Sequence, residues 1–425
     1  MTSDDGHRPG SSGYRRLNVA IGMAGFAAFG ILYSTQPLLP QLSDEFGVSP
    51  TAASLTVSAG TGALALAVIP MTGLAASFGR VRVMRVGLVL SVGLMVLSCV
   101  VPHFWMLVTV RAFIGLALGG VVATAMAHVG AEVHRSGLGA SMGLYVAGNS
   151  LGGVGGRVVT STVGDLGGSW RLADGALALC ALVATVAFWF LLPPVRNEWR
   201  APLRPRTFVR PLRSHLRNRG LLTVIVVPFV LMGGFVAVYN FLTYRLVSDP
   251  FDLPSRAVGL VFLAYLAGTV SSAVAGRLAD RYGQRVVLVG SILVMAGGLA
   301  LTLPDQLVAV VGGLVVFTAG FFGAHAVASG WVPELAHGYL TQATGLYVLA
   351  YYAGSGVFGS LVGSAWNTAG WPGTAAAVGI LVAVGLVAAL TVRTAQGDMR
   401  LAPEVLAPTR PEAPRYEDDD RRQAP

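Results

Sequence analysis

The stretch GLYVAGNSLGG, Gly143–Gly153, returns 202 residues later as GLYVLAYYAGS, Gly345–Ser355. On the same register Glu132 falls on Glu334, and Trp170 lies within one residue of the position matching Trp371. A second pair, TGLAASFGRVRVM from Thr72 and GRLADRYGQRVVL from Gly276, recurs at nearly the same distance. Matches at one offset along a chain mark an internal duplication.

The duplicated unit is a set of membrane spans. Of 425 residues, 54% are hydrophobic and only 12% charged, and the mean hydropathy is +0.67. Soluble domains carry about 25% charged residues, so the composition points to an integral membrane protein. Twelve apolar runs approach the ~20 residues that cross hydrocarbon. They cover roughly 17–39, 51–76, 83–101, 104–131, 137–164, 171–193, 221–246, 256–279, 286–303, 306–330, 338–365 and 371–394. The organisation expected is a polar tail at 1–16, six spans over 17–193, and a basic linker at 194–220. Six more spans over 221–394 and a Pro-rich, charged tail at 395–425 complete it; that tail has the makeup of disorder. Residues 1–16 are polar and the first apolar run lacks a small-residue cleavage site, so no cleavable signal is expected. Cys99 and Cys180 fall in different spans and read as small core residues, without a disulfide framework.

All 29 basic residues are arginine. With both termini and the linker on one side, 24 of them lie on that side, and only Arg111 and Arg157 fall well inside spans. The positive-inside rule then places termini and linker in the cytoplasm.

On a helix, residues four apart share a face. Gly148, Gly152 and Gly156 form one stripe of the fifth span, a face on which a partner helix packs closely. Tyr145, Asn149, Gly153 and Arg157 form the next, a polar stripe that hydrocarbon tolerates only toward protein or water. In the repeat, Tyr347 and Tyr351 share the equivalent face, so the two helices are expected to line a cavity between halves. Arg157 lies about 11 Å from the outer end of its span at 1.5 Å per residue. It either snorkels to that interface or faces inward to meet carbonyls, water or an anionic substrate. No Asp or Glu reads as mid-membrane: the nearest acids are Asp165 at an outer end and Glu132 and Glu334 at inner ends. Tyr33, Gln36, Asn240 and Tyr265 are further candidates to touch substrate. His128 and His325, the only histidines well inside spans, are candidates to carry a proton. Trp105, Trp170 and Trp371 fit an interfacial belt.

Together these features resemble the major facilitator superfamily. GRLADRYGQR, Gly276–Arg285, is similar to its signature loop between the second and third helices of a half; the first half has Ala76 and Ser77 where the second has Asp280 and Arg281. RAFIGLALGG from Arg111 resembles its fourth-helix motif. GNSLGGVGGR from Gly148 resembles its antiporter-associated fifth-helix motif, with Gly153 where proline is usual. LYSTQPLLPQLSDEFGVSP, Leu32–Pro50, resembles the first-helix region of the bacterial sugar and drug efflux branch.

The resemblance implies an all-α membrane fold of twelve helices in two pseudo-symmetric six-helix bundles. It implies alternating access and a latch formed by Gly276, Asp280, Arg281, Gly283 and Arg285, in which Asp280 meets the start of the fifth helix near Gly137 when the inner side is closed. The function expected is a proton-coupled exporter of small organic molecules (drug-like, sugar or organic anion) in a bacterial cytoplasmic membrane. Substrate contacts fall to Tyr33, Gln36, Tyr145, Asn149, Arg157, Asn240, Tyr265, Tyr347 and Tyr351. Proton coupling falls to Arg111, His128, Glu132, His325 and Glu334. The alternatives are an importer or facilitator, or a non-transporting sensor on the same scaffold. No P-loop, metal-ligand run or paired nucleophile and base appears. No enzyme activity, cofactor, metal or nucleic-acid partner is therefore expected, and the chain is expected to act as a monomer among membrane lipids.

Overall fold

A computed structural model describes residues 6–196, 215, 218–336 and 340–392. Most of the linker and the whole charged tail lie outside these residues, as do the expectations placed on them.

Among the described residues twelve long helices follow one another. The first half holds α1 (Ser12–Phe46), α2 (Pro50–Phe78), α3 (Arg80–Ser98), α4 (Phe104–Glu132), α5 (Arg135–Gly167) and α6 (Trp170–Leu191). The second holds α7 (Arg219–Val247), α8 (Ser255–Tyr282), α9 (Gln284–Leu301), α10 (Leu307–Leu335), α11 (Leu340–Leu361) and α12 (Gly363–Thr391). Ten have the length and apolar composition to cross a membrane; α5 and α11, the duplicated pair, are too rich in glycine, serine and tyrosine to join them. The ends gather on two faces. One, the terminal face, carries His7 and Arg196, which both bond to the α4–α5 turn at Glu132, and by the alternation of the helices the α2–α3 and α8–α9 turns; the opposite face carries the other described turns.

The duplication is visible in backbone detail. The α2–α3 turn closes on Gly79 (φ +94°) and the α8–α9 turn on Gly283 (φ +86°), a left-handed conformation that side chains resist. A Cβ on Gly148 would lie 2.6 Å from the Gly22 carbonyl oxygen, and one on Gly156 2.7 Å from the Gly30 Cα. Between them Gly152 rests on the backbone of Phe26, and in the second half Gly354 of α11 rests on the backbone of Phe229 in α7. Helices in lipid gain little from hiding apolar surface from each other, so this backbone approach and its dispersion contacts hold α5 to α1 and α11 to α7.

The halves meet along three seams. Ser54 donates to Ser360 (2.9 Å), which donates to Ser58 (2.7 Å), joining α2 to α11 beside the Gly62–Gly356 crossing. Tyr244 of α7 donates to the Leu39 carbonyl (2.9 Å) and lies 2.7 Å from the Ser43 hydroxyl of α1. Asp165 at the end of α5 accepts the Ser255 amide at the start of α8 (3.1 Å) and lies 3.6 Å from Arg256. These contacts lie toward the opposite face. Along α8 it is Ser255–Val261 that packs on α5, while Val270, Val274 and Leu278, nearer the terminal face, are exposed. The structure is thus sealed on the side away from its termini.

The tryptophan belt needs correction. Trp105 is exposed, but Trp170 and Trp371 are buried and donate to Glu45 (2.6 Å) and to the Thr302 carbonyl (3.0 Å). Each closes a loop inside its own half. Cys99 and Cys180 are unpaired and half-buried.

Candidate functional site

The site begins at a break in α1. Regular helix stops at Leu32, Tyr33 takes φ −110°, and a 3-10 turn, Gln36–Leu38, resumes with Pro37 in its first positions. Beyond Leu32 the amides bond three residues back, Ser34 to the Ile31 carbonyl and Gln36 to the Tyr33 carbonyl, so carbonyls at the break keep lone pairs that no α-helical amide takes. Arg111 of α4 takes them. Its guanidinium donates to the carbonyls of Leu32 (2.6 Å), Ile31 (2.9 Å) and Thr56 (3.2 Å) and to the Ser34 hydroxyl (3.0 Å). Arg111 is wholly buried, and its forked donors suit this cluster of acceptors.

Past the break, Gln36 points into the seam. Arg157 of α5 donates from Nε to Gln36 Oε1 (2.8 Å), Gln36 donates to Asn240 Oδ1 of α7 (2.7 Å), and Asn240 donates to the Gly359 carbonyl of α11 (2.9 Å). This chain runs through the central helix pair of each half. Gln36 and Asn240 occupy near-equivalent positions of the duplication, so they bond across the axis relating the halves. At the end of the chain the equivalence fails, because Gly359 stands where the first half has Arg157.

Arg157 is only 1% exposed, so it does not snorkel. Its remaining donors reach the Gly153 carbonyl (2.7 Å) and the Tyr265 hydroxyl of α8 (3.2 Å). The guanidinium lies 4.6 Å from the ring centre of Tyr33, 4.7 Å from Tyr265 and 4.9 Å from Phe262. Three ring faces supply attraction without a countercharge. Among the described residues no carboxylate lies within ion-pair distance of it. It is a buried cation held by neutral groups from both halves.

Around it the second half builds an aromatic wall. Tyr239 packs 4.8 Å from Tyr265 and shares a hydrogen bond with Thr318 (2.7 Å). Phe235 stacks 4.0 Å from Phe321, and His325 lies 4.7 Å from Tyr351, with its Nδ1 2.9 Å from the Tyr347 hydroxyl.

Of the residues picked out in the sequence, Tyr33, Gln36, Arg157, Asn240 and Tyr265 form one connected cluster. Tyr347, Tyr351 and His325 form a second on the same wall. Tyr145 is buried, and the Asn149 amide presses on Gly25 of α1 rather than toward the other half, because a glycine there leaves room for it. His128 and Glu132 lie at the terminal-face end of α4 beside Arg80 and His7; Glu132 accepts the Arg196 amide (3.0 Å). Glu334 is exposed at the end of α10 and accepts from Gln284 (2.6 Å). Of the loop residues, Arg285 donates to the Leu390 carbonyl and Arg281 stacks on Tyr282, while Asp280 is exposed with no partner among the described residues. The start of α5 at Gly137 is covered instead by Tyr14 and Pro9.

One acid escaped the sequence reading. Asp174, one turn into α6, is wholly buried although it stands near the start of its helix rather than at the middle. Its Oδ2 accepts from Ser98 of α3 (3.3 Å), its Oδ1 has no partner among the described residues, and Arg111 and Ser34 face it.

Comparison with known proteins places these observations. Residues 21–258 and 229–414 match the profile of the Major Facilitator Superfamily. The chain is 40% identical to the inner membrane transport protein YnfM of Escherichia coli strain K12 over 385 residues, 91% of each chain. It is 36% identical over 379 residues to YybF, an uncharacterized MFS-type transporter of Bacillus subtilis, covering 89% of this chain and 94% of that one. Among solved structures, a mutant of the nucleoside transporter NupG superposes with TM-score 0.68 at 15% identity, covering 88% of this chain and 98% of that one. A bacterial homologue of the lysosomal transporter Spinster, inward-facing and unoccupied, gives 0.68 at 14% identity over 90% and 95%. At such identities the likeness is one of fold.

Proposed function

The chain belongs to the major facilitator superfamily and is a multi-pass membrane transporter; from that premise we propose that it exports small organic anions by proton antiport and alternating access. The terminal face, with its arginines, is cytoplasmic in this reading, and the membrane is the bacterial cytoplasmic one, as the name of the Escherichia coli relative suggests.

The observation that carries the proposal is Arg157. A buried guanidinium held only by neutral groups, in contact with both halves, is suited to an anionic group of the substrate, while the rings of Tyr33, Phe262 and Tyr265 suit a flat apolar body. Rocking of the halves must break Gln36–Asn240 and Arg157–Tyr265. An anion that takes over those donors lowers the cost of the break, which ties occupancy to movement. Charge movement also favours this direction. One monoanion leaving and one proton entering carry two charges inward, about 4.6 kcal/mol at an inside-negative 100 mV.

The test uses full-length protein in liposomes loaded with 2-naphthalenesulfonate, glucose or ethidium, under an imposed pH gradient. Uphill movement of the sulfonate that collapses with a protonophore supports the proposal. Equilibration of any compound regardless of the gradient makes the protein a facilitator, and uphill movement of glucose or ethidium alone removes the anion from it.

A further inference from the structure

A proton-driven cycle needs a group that gains and loses charge where lipid and protein exclude water, and the substrate cluster holds no carboxylate. We propose that Asp174 is the proton-carrying group, and that its charge reaches the substrate site through the broken segment Tyr33–Gln36 of α1. The proposal rests on the reading of the chain as a proton-coupled transporter.

The setting of Asp174 is half-furnished. An ionised carboxylate draws several donors, whereas this one has a single 3.3 Å bond from the Ser98 hydroxyl and an empty Oδ1. A protonated acid needs an acceptor, and the hydroxyls of Ser98 and Ser34 serve as either. Neither protonation state is locked in. Among the described residues the cation facing it from another helix is Arg111 of α4, which lies outside ion-pair distance and is committed to carbonyls of the break. From α3 come Ser98 and Cys99, from α1 Ser34, and on α6 itself Arg171, which is held by Glu45.

Ionisation acts through that geometry. A bare carboxylate attracts Arg111 away from the Ile31 and Leu32 carbonyls and draws the hydrogen of the Ser34 hydroxyl, which accepts from Arg111, toward itself; a neutral acid leaves them in place. The residues so disturbed hold the site. The Ser34 carbonyl accepts from Thr160 of α5 (3.0 Å), the Thr35 hydroxyl accepts from Thr56 of α2 (3.2 Å), and Gln36 binds both Arg157 and Asn240. Four consecutive residues thus connect the acid, the substrate cation and the seam. Asp174 also lies one turn from Trp170 on the sealed face, the side from which an exporter takes its proton.

Infrared difference spectra of the full-length protein in lipid, recorded on acidification without substrate, read the group directly. The expected result is a carboxylic-acid carbonyl band that is lost in Asp174→Asn and kept in Asp165→Asn; a band unchanged in Asp174→Asn overturns the proposal. Should Asp174→Asn fail to fold, Asp174→Glu supplies the same test, since the proposal requires its band to titrate at a different midpoint. In loaded liposomes Asp174→Asn should lose at least tenfold in uphill 2-naphthalenesulfonate movement yet keep exchange across equal concentrations. Protonophore-sensitive uphill movement persisting at wild-type rate in Asp174→Asn defeats the proposal alone. Insensitivity already in the wild type defeats the underlying transport reading.

Discussion

Arg157 is buried at a cost that neutral groups share, and the balance is easily upset. Replacing it with glutamine keeps a donor for Gln36 but removes the charge. Sulfonate transport should fall at least tenfold, about 1.4 kcal/mol, while neutral probes are unaffected and thermal unfolding in detergent moves little. Arg157→Leu should in addition destabilise the protein by roughly 1–3 kcal/mol, because the Gln36 carbonyl loses its partner in a dry place. The position of Arg157 was legible in the sequence from the stripe it shares with Tyr145 and Asn149. Its partners were not, because Gln36, Asn240 and Tyr265 lie 121, 83 and 108 residues away and their meeting depends on how the halves close. Asp174 was hidden for another reason. An acid three residues into a span is normally interfacial, and only the packing of α6 on α1 and α3 takes this one out of reach of water.

At the scale of elements, glycine spacing carried most of the information. A Cβ on Gly152 or Gly354 would enter the backbone of α1 or α7, so Gly152→Val and Gly354→Val should each destabilise by about 1–3 kcal/mol or more. Thermal unfolding of the two variants should give similar losses, since they occupy equivalent crossings. The twelve helices followed from hydropathy, most boundaries to within a few residues; the larger differences are α1, which resumes after its break and runs to Phe46, and α12, which begins at Gly363 ahead of a kink at Ala369 and Gly370. The N-terminal segment was not legible at all. His7 bonds through its backbone to Glu132 (2.7 Å) and His134 (3.1 Å), laying the segment over the start of α5. Burial holds the His7 imidazole below its ordinary value of 6.5, the Arg196 charge adds to that effect, and Glu132 opposes it. The docked segment therefore binds fewer protons than a released one, so docking should weaken as pH falls from about 7 to 5 and be steady above that. Corrected for the intrinsic pH dependence of amide exchange, the protection of the amides between Gly6 and Ser11 should fall over this range, and His7→Gln should make that protection independent of pH.

For the whole molecule, the seams decide which face is open. Ser54 and Ser360 touch across α2 and α11, so cysteines at both positions should form a disulfide in the state sealed on the opposite face. Oxidation should stop transport and reductant should restore it, while either single cysteine stays active. Cross-linking that leaves the rate unchanged would mean this seam need not part during the cycle. The internal repeat announced two like halves. It could not announce where their likeness ends, at Arg157 and Gly359, and that difference is what makes the centre of the molecule electrically one-sided.

The low hydropathy of α5 and α11 has a consequence for biosynthesis. A segment carrying Arg157 and a ladder of glycines gains little from entering lipid alone; an arginine near a helix centre costs about 2.5–3.5 kcal/mol at the translocon. Each of these helices rests on one made earlier, α5 on α1 and α11 on α7. The ribosome therefore delivers the apolar partner first, and the polar helix inserts against a surface already waiting for it. Each half can mature as it emerges, and a chain truncated after α6 should already hold its fifth helix in the bilayer.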